Sequence, residues 1–181
     1  MKKQLLLCLL LGLAVSAKAQ TWNGWSNPVR LVRTVDGDIL KLNIQGSDSS
    51  IANLNAAIDP AKTNRLTIEY RAQGLPEKTT GQLFFASVSQ KNFVDCQYWR
   101  LPGLESDGRW HTLRMNAQDD IPAGPDCWQK CGMIDKLRLD IVDQFPGVVE
   151  IRKLQFSAAP ASAAVRWPDV KPELPSDPAA K

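Results

Sequence analysis

Histidine is almost absent from this sequence, since the 181 residues contain only one, His111. Pairs of a nucleophile and a histidine base, and metal centres built from several histidines, therefore have almost no material from which to form. The chain also lacks the glycine-rich phosphate loops G-x-x-x-x-G-K-S/T and G-x-G-x-x-G. Catalysis is thus the least supported class of function, because scattered carboxylates are the main candidate groups that remain.

Long apolar runs are missing after residue 17, so the mature chain has no stretch near the roughly 18 residues of a membrane span. The run that is present, residues 5–17, follows Met-Lys-Lys and ends in Ala-Lys-Ala. A basic start, a short apolar stretch and an A-x-A site are typical of a secretory signal. We therefore interpret residues 1–19 as a cleaved signal peptide and expect a secreted or periplasmic protein.

An excess of basic charge is also missing from the mature chain. The full sequence has 22 Lys and Arg against 19 Asp and Glu. Lys2, Lys3 and Lys18 belong to the signal, so 19 basic residues remain against 19 acids and the mature chain is formally neutral. This argues against nucleic acid as a partner, because a protein that binds phosphates usually presents a basic surface.

The end of the chain differs in composition from the rest. Residues 158–181 contain five prolines and seven alanines, which is typical of an extended, largely disordered tail or of a linker. We therefore expect one folded domain at residues 20–157, followed by a Pro/Ala-rich tail or linker at residues 158–181.

Alternation of apolar and polar residues dominates the expected domain. Residues 66–71 and 136–141 both follow this pattern, which predicts strands with one buried and one solvent-facing side. Asp36-Gly37 is the clearest hairpin turn. Further strands are predicted at residues 29–34, 38–45, 82–88, 93–100, 109–116 and 148–157.

Two irregularities are expected in this pattern. The apolar positions of the last strand change parity between Ile151 and Leu154, which predicts a bulge near Arg152 and Lys153. A short helix or a loop across one end of the sandwich is predicted over residues 49–58, where apolar residues recur at spacings of three and four. The sequence therefore predicts an all-β fold, a two-sheet antiparallel β-sandwich of jelly-roll type with one short helix and a disordered C-terminal tail.

Three cysteines remain after removal of the signal: Cys96, Cys127 and Cys131. Export implies an oxidising compartment, so a disulfide is expected. Our preferred hypothesis is a Cys127–Cys131 disulfide, because residues 125–132 have the composition of a loop. Pairing of Cys96 with either of the others stays open, because a longer closed loop would stabilise the fold more.

Large aromatic side chains are the best candidates for a binding site. Tyr98 and Trp99 are adjacent and so point to opposite faces of a strand, while Trp128 lies between two cysteines. An exposed ring can stack on the C–H face of a sugar while polar neighbours bond its hydroxyls. Trp110, between a turn and a strand, is expected to be packed in the fold. The predicted ligand-binding residues are Tyr98, Trp99, Trp128, Asp95, Gln97 and Arg100.

Calcium is the metal that the sequence favours, and no other cofactor is required. Secreted β-sandwiches often tie loops together with a hard cation bound by carboxylates and carbonyls. The sequence contains no EF-hand pattern. The hairpin turn predicted at Asp36-Gly37 explains the residues Asp36-Gly37-Asp38 better than a metal site does. The candidate ligands for a structural calcium ion are Asp36, Asp38, Asp48 and Asp140.

Two segments resemble bacterial jelly-roll modules of the galactose-binding-like class, similar to carbohydrate-binding modules. They are DGRWHTL at residues 107–113 and the stretch from Trp128 to LRLD at residues 137–140. The likeness covers most of residues 21–157. The resemblance implies a non-catalytic module found with secreted polysaccharide-degrading systems, many of which hold a structural calcium. The matching segments are strands and turns, so the resemblance assigns no binding residue.

The Asp-Gly-x-Trp-His segment also resembles laminin-G-like or concanavalin-like sandwiches, which would imply glycan or protein binding. We expect a secreted, non-catalytic protein whose partner is a polysaccharide or glycan. The alternative is a cell-envelope domain that binds another protein or serves as a scaffold. A small polysaccharide-active enzyme is the third hypothesis.

Overall fold

The structure of the protein, a computed structural model, describes residues 22–76 and 79–158. The signal peptide predicted at residues 1–19 and most of the tail predicted at residues 158–181 lie outside this range. In the part of the chain that the structure describes, no helix has both the length and the apolar character to cross a membrane.

Within the described residues, ten strands form two five-stranded sheets in which every pair of neighbours is antiparallel. The first, sheet A, contains in spatial order β1 (Trp25–Val29), β4 (Ser50–Asn53), β9 (Ile134–Asp140), β6 (Gly81–Ser87) and β7 (Tyr98–Leu101). The second, sheet B, contains β2 (Leu31–Asp36), β3 (Ile39–Ile44), β10 (Gly147–Ser157), β5 (Arg65–Gln73) and β8 (Asp107–Asn116). Two short helices, α1 (Ala117–Asp120) and α2 (Pro125–Gln129), lie between β8 and β9. The predicted β-sandwich is confirmed.

The predicted hairpin and bulge are also present. Asp36 pairs with Ile39 across the turn, and Gly37 has a φ of 59°, which is a conformation that glycine adopts without strain. On β10 the register with β5 shifts between Ile151 and Lys153. The extra residue lets apolar side chains on both sides of the shift point into the core.

The helix predicted over residues 49–58 is wrong. This segment contains β4, in which Ile51 is fully buried and pairs with Leu139 of β9. Leu54, which the helical spacing would place on the same face as Ile51, is 45% exposed. Pairing with a central strand decided the local structure, because it satisfies backbone groups that a short isolated helix would leave to solvent. The strand predicted at residues 93–100 is shorter than expected, since β7 begins at Tyr98.

A continuous apolar core fills the space between the sheets. Its aromatic centre is formed by Phe85, Trp99, Trp128 and Phe156, with ring centroids 4.9 Å apart for Phe85 and Trp128 and 5.1 Å apart for the two indoles. The Trp128 and Phe156 rings are stacked at 5.3 Å. These contacts join β6, β7, α2 and β10, so α2 closes the core at the point where the strands end.

Candidate functional site

The outer face of sheet B carries a partly exposed indole ring among charged side chains, and we call it the Trp110 face. Trp110 on β8 is opposite Arg71 on β5, Arg71 is opposite Glu150 on β10, and Glu150 is opposite Lys41 on β3. Side chains directly opposite in neighbouring antiparallel strands point to the same side of the sheet. The register therefore places these four side chains in one row across four strands.

Two guanidinium groups pack against the Trp110 ring. The guanidinium carbon of Arg152 lies 4.4 Å from the ring centroid, and that of Arg71 lies 5.1 Å from it. Both distances are within the range of cation–π contacts. The two arginines hold the indole in one orientation on the outer face of the sheet.

Each of these arginines is in turn held by a carboxylate. Arg71 Nε donates to Glu150 Oε2 at 2.6 Å, and Lys41 Nζ lies 3.6 Å from Glu150 Oε1. Arg152 Nε donates to Glu69 Oε2 at 2.9 Å. The hydrogen bond from Arg152 is the main reason why the pKa of Glu69 lies below its ordinary value. Two arginines, each paired with a carboxylate, therefore pack against the ring.

Two hollows lie along the same strands, on either side of Trp110. One hollow, of about 190 Å³, is lined by Lys41, Arg71, Gln73, Val148 and Glu150. The other, of about 440 Å³, lies where β5, β8 and β10 meet at the opposite end of the sheet. Its polar lining residues are Arg65, Thr67, Arg114, Asn116 and Ser157. A ring between two polar hollows forms an extended surface that a long ligand can follow.

The expectation that Trp99 and Trp128 are exposed is wrong, because both indoles are completely buried. Adjacent side chains on a strand point to opposite faces, so on β7 Trp99 points into the core and Tyr98 points outward. Trp128 lies on α2, and its Nε1 donates to the carbonyl oxygen of Thr63. Neither ring presents a face on which a ligand could stack.

The other predicted binding residues lie at the edge of sheet A. Tyr98 is half-buried, with its ring 5.2 Å from that of Phe84. Gln97 accepts a hydrogen bond from Gln90 at 2.8 Å, while Asp95 and Arg100 are exposed. These four residues are neighbours on one edge of the sandwich, and their role in binding stays a prediction.

The Cys127–Cys131 disulfide that we preferred is not formed, because all three described cysteines are free thiols. Cys127 Sγ points toward the carbonyl oxygen of Cys96 at 3.7 Å, whereas Cys131 Sγ points toward Gln90 Oε1 at 3.6 Å. Residues 127 and 131 belong to α2 and the turn that ends it, and this turn directs the two thiols to different neighbours. Burial raises the pKa of both thiols.

The calcium candidates are distributed over two places. Asp36 and Asp38 flank the glycine of the β2–β3 turn, whereas Asp48 and Asp140 line a hollow of about 230 Å³. Burial raises the pKa of Asp140, and hydrogen bonds from Arg138, at 2.9 and 3.0 Å, act in the opposite direction. The four carboxylates therefore do not form one ligand set, and calcium at either place stays a prediction.

Another trio of potential ligands lies at the start of β8. Ligand atoms of Glu105, Asp107 and His111 are within 4.8 Å of one another. His111 Nε2 is 2.7 Å from Asp107 Oδ1, which also accepts the backbone N–H of Arg109 at 2.9 Å. The contact with His111 is the main reason why the pKa of Asp107 is lowered. The Asp107 oxygen that faces the histidine is therefore already occupied by donors of the chain.

Sequence reasoning missed Trp110, although strand parity contained the signal. His111, Leu113 and Met115 have the parity of the core-facing side of β8, with Met115 buried. Trp110 shares its parity with Thr112 and Arg114, which are exposed. A large aromatic residue on the polar side of an alternating strand indicates a surface position.

Comparisons with known proteins found similarity only among solved structures, since no family model and no curated protein matches the chain. A single-residue variant of a family 29 carbohydrate-binding module shares 10% identity, with a TM-score of 0.48 over 78% of this chain and 86% of that chain. A structure described as a carbohydrate-binding module of family 29 shares 9% identity, with a TM-score of 0.46 over 75% of this chain and 80% of that chain. A variant complexed with cellulohexaose shares 10% identity, with a TM-score of 0.47 over 75% and 82% of the two chains. These similarities concern the fold and assign no residue of this chain.

Proposed function

We propose that the protein binds a polysaccharide or glycan on the Trp110 face and does not cleave it. The observation that carries the proposal is the indole of Trp110, held by Arg71 and Arg152 on an open face between two polar hollows. Sugars present apolar C–H faces ringed by hydroxyl groups. An aromatic ring surrounded by charged and amide side chains matches both parts of such a ligand.

The state of the carboxylates on this face supports binding without hydrolysis. Glycoside hydrolysis requires one acid with a raised pKa that protonates the leaving oxygen. Glu150 is held by Arg71 and Lys41, and the pKa of Glu69 is lowered through Arg152. Both carboxylates pair with arginines, and the lowered pKa of Glu69 is opposite to what a general acid requires.

Secretion is part of the proposal and rests on the sequence of residues 1–19. Polysaccharides of cell walls and capsules lie outside the cytoplasm, so a protein that binds them requires export. The signal peptide predicted for this segment would supply it. A protein exported to the periplasm or beyond would encounter such a ligand.

A second candidate function is protein binding in the cell envelope, and the surface near the end of β6 favours it. Val88 is 66% exposed and Met133 is 50% exposed, and the two are adjacent because Val88 N–H donates to the Met133 carbonyl oxygen at 3.1 Å. Apolar side chains of this size at the surface are typical of protein contacts when they occur together.

Retention of the mature protein in gels that contain polysaccharides tests the proposed function. Trp110→Ala is expected to weaken retention by about tenfold or more, because it removes the stacking plate. Tyr98→Ala tests the rival site predicted at the edge of sheet A, and it is expected to bind as the wild type does, since Tyr98 lies on the other sheet. Unchanged retention of Trp110→Ala, or loss of retention in Tyr98→Ala alone, would overturn the assignment of the Trp110 face.

A further inference from the structure

The charge of the Trp110 face indicates which class of glycan it binds, and this inference rests on the proposed function. We infer that the ligand is an acidic polysaccharide whose carboxylate groups bind at Arg65 and Arg114, in the larger of the two hollows. The distribution of ion pairs over the face, the lining of the hollow and its distance from Trp110 support this assignment.

Six cationic side chains lie around Glu69 and Glu150 on four strands of this face. Glu150 pairs with Arg71 and Lys41, and Glu69 pairs with Arg152 and Lys153. The two cations that remain are Arg65 and Arg114. Their side chains form no hydrogen bond or ion pair with any residue in the described ranges. The face therefore carries two guanidinium groups whose charge has no partner there.

The two free guanidinium groups are close to each other. Arg65 of β5 is opposite Asn116 of β8, and Thr67 is opposite Arg114, so the arginines occupy diagonal positions on neighbouring strands. Both side chains line the same hollow. An anion bound in this hollow could therefore accept hydrogen bonds from both guanidinium groups at once.

The hollow that Arg65 and Arg114 line is suited to a carboxylated sugar. Its volume of about 440 Å³ lies within the range of small-molecule sites, and none of its lining residues within the described ranges is acidic. The nearest acids of α1 are bound to Asn116, whose backbone N–H donates to Asp120 at 2.8 Å and whose Nδ2 donates to Asp119 at 2.8 Å. Guanidinium groups bind carboxylates through paired hydrogen bonds, and the hydroxyls of Thr67 and Ser157 are available for sugar hydroxyls.

The distance between the hollow and Trp110 favours a polymer over a single sugar. Along β8, Arg114 lies four residues from Trp110, which corresponds to roughly 13 Å, and along β5, Arg65 lies six residues from Arg71, which corresponds to roughly 20 Å. A ligand that contacts both the ring and the arginine pair must extend over several units. Single-stranded nucleic acid is disfavoured, because it usually binds to several stacking rings on a basic domain, whereas the register here places a single indole ring, Trp110, in the row across this face.

The test compares an acidic polymer with its uncharged form. Wild-type protein is titrated with polygalacturonate and with the same polymer after reduction of its carboxyl groups, by isothermal calorimetry at low and high salt. We expect binding at least about tenfold tighter to the acidic polymer, with the difference decreasing at high salt. The double variant R65Q/R114Q is expected to lose the preference, whereas Lys91→Gln, which removes an exposed cation from the loop between β6 and β7, is expected to keep it.

The possible results separate this inference from the proposed function. Equal affinity of the wild type for both polymers, or an unchanged preference in R65Q/R114Q, would overturn the acidic-ligand assignment and leave glycan binding in place. Loss of binding to both polymers in Trp110→Ala alone would support glycan binding at this face. Tighter binding to oligothymidylate than to polygalacturonate would overturn the inference in favour of nucleic acid. Binding of neither polymer by the wild type would contradict both.

Discussion

At the scale of the residue, the tryptophans of this protein separate into structural and surface-exposed rings. Trp22, Trp99 and Trp128 are among the largest fully buried side chains, whereas Trp110 is partly exposed on the outer face of sheet B. Adjacent positions on one strand have opposite roles, as Tyr98 and Trp99 demonstrate. The number of aromatic residues thus says little about a binding site, and their parity decides which of them can reach a ligand.

The contrast between Trp128 and Trp110 gives a prediction about stability. Trp128→Ala is expected to lower the free energy of unfolding by about 3–5 kcal/mol, because it leaves a cavity beside Phe85 and Phe156. Trp110→Ala is expected to cost about 1 kcal/mol or less, since it removes only contacts with Arg71 and Arg152 at the surface. Urea denaturation measures both. If Trp128→Ala does not fold, Trp128→Phe takes its place. Equal decreases in the free energy of unfolding for the variants at Trp128 and Trp110 would contradict the assignment of Trp128 to the core and Trp110 to the surface.

Glu69 gives a prediction about pH. Because its pKa is lowered in the folded state, its contribution to stability is present above the unfolded pKa of about 4.3 and is lost as the pH falls through the folded value. We expect wild-type stability to decrease more steeply below about pH 4 than that of Glu69→Gln, by less than ~1 kcal/mol, as is usual for a partly exposed pair. Arg152→Gln should give the same flatter profile. Parallel profiles of wild type and Glu69→Gln in denaturation at several pH values would refute the role of this pair.

At the scale of the element, strand pairing accounts for most of what sequence patterns predicted and for where they failed. Alternation placed β5 and β9 correctly, because each has one face in the core and one in solvent along its length. The pattern over residues 49–58 is too short to distinguish a helix from a strand. Pairing of β4 with β9 makes this segment a strand. The site could not be predicted in the same way, because the row from Trp110 to Lys41 depends on the register of four strands that are distant in sequence.

The close approach of β6 to the backbone at the end of β9 gives a prediction at the scale of the element. A Cβ atom on Gly81 would collide with the carbonyl oxygen of Ile141 and lie 2.8 Å from that of Asp140. Since these are backbone atoms, they cannot move without disturbing sheet A, and Gly81→Ala is expected to cost about 1–3 kcal/mol. Gly46→Ala is the control, because its nearest neighbour is the flexible side chain of Arg30 at 3.3 Å. Equal denaturation midpoints for the two variants would argue against the close approach.

At the scale of the whole molecule, the proposed function rests on an uneven distribution of charge. The mature chain is expected to be formally neutral, yet the strands of the Trp110 face carry six cations around Glu69 and Glu150. Total charge therefore argues correctly against a generally basic surface, but it conceals a local one. Ion pairs occur on both sheets, since Arg138 and Asp140 pair on β9, but the row of ion-paired side chains across four strands belongs to sheet B.

The measurement that tests the central claim most directly is a two-dimensional NMR spectrum of the tryptophan indole N–H groups during titration with an acidic oligosaccharide. The chain contains six tryptophans, and Trp110→Phe assigns the resonance that matters. Our account predicts that ligand shifts the Trp110 signal most strongly, while the signals of the buried Trp99 and Trp128 move little. A titration that leaves the Trp110 signal in place, with perturbations around Tyr98 instead, would contradict it.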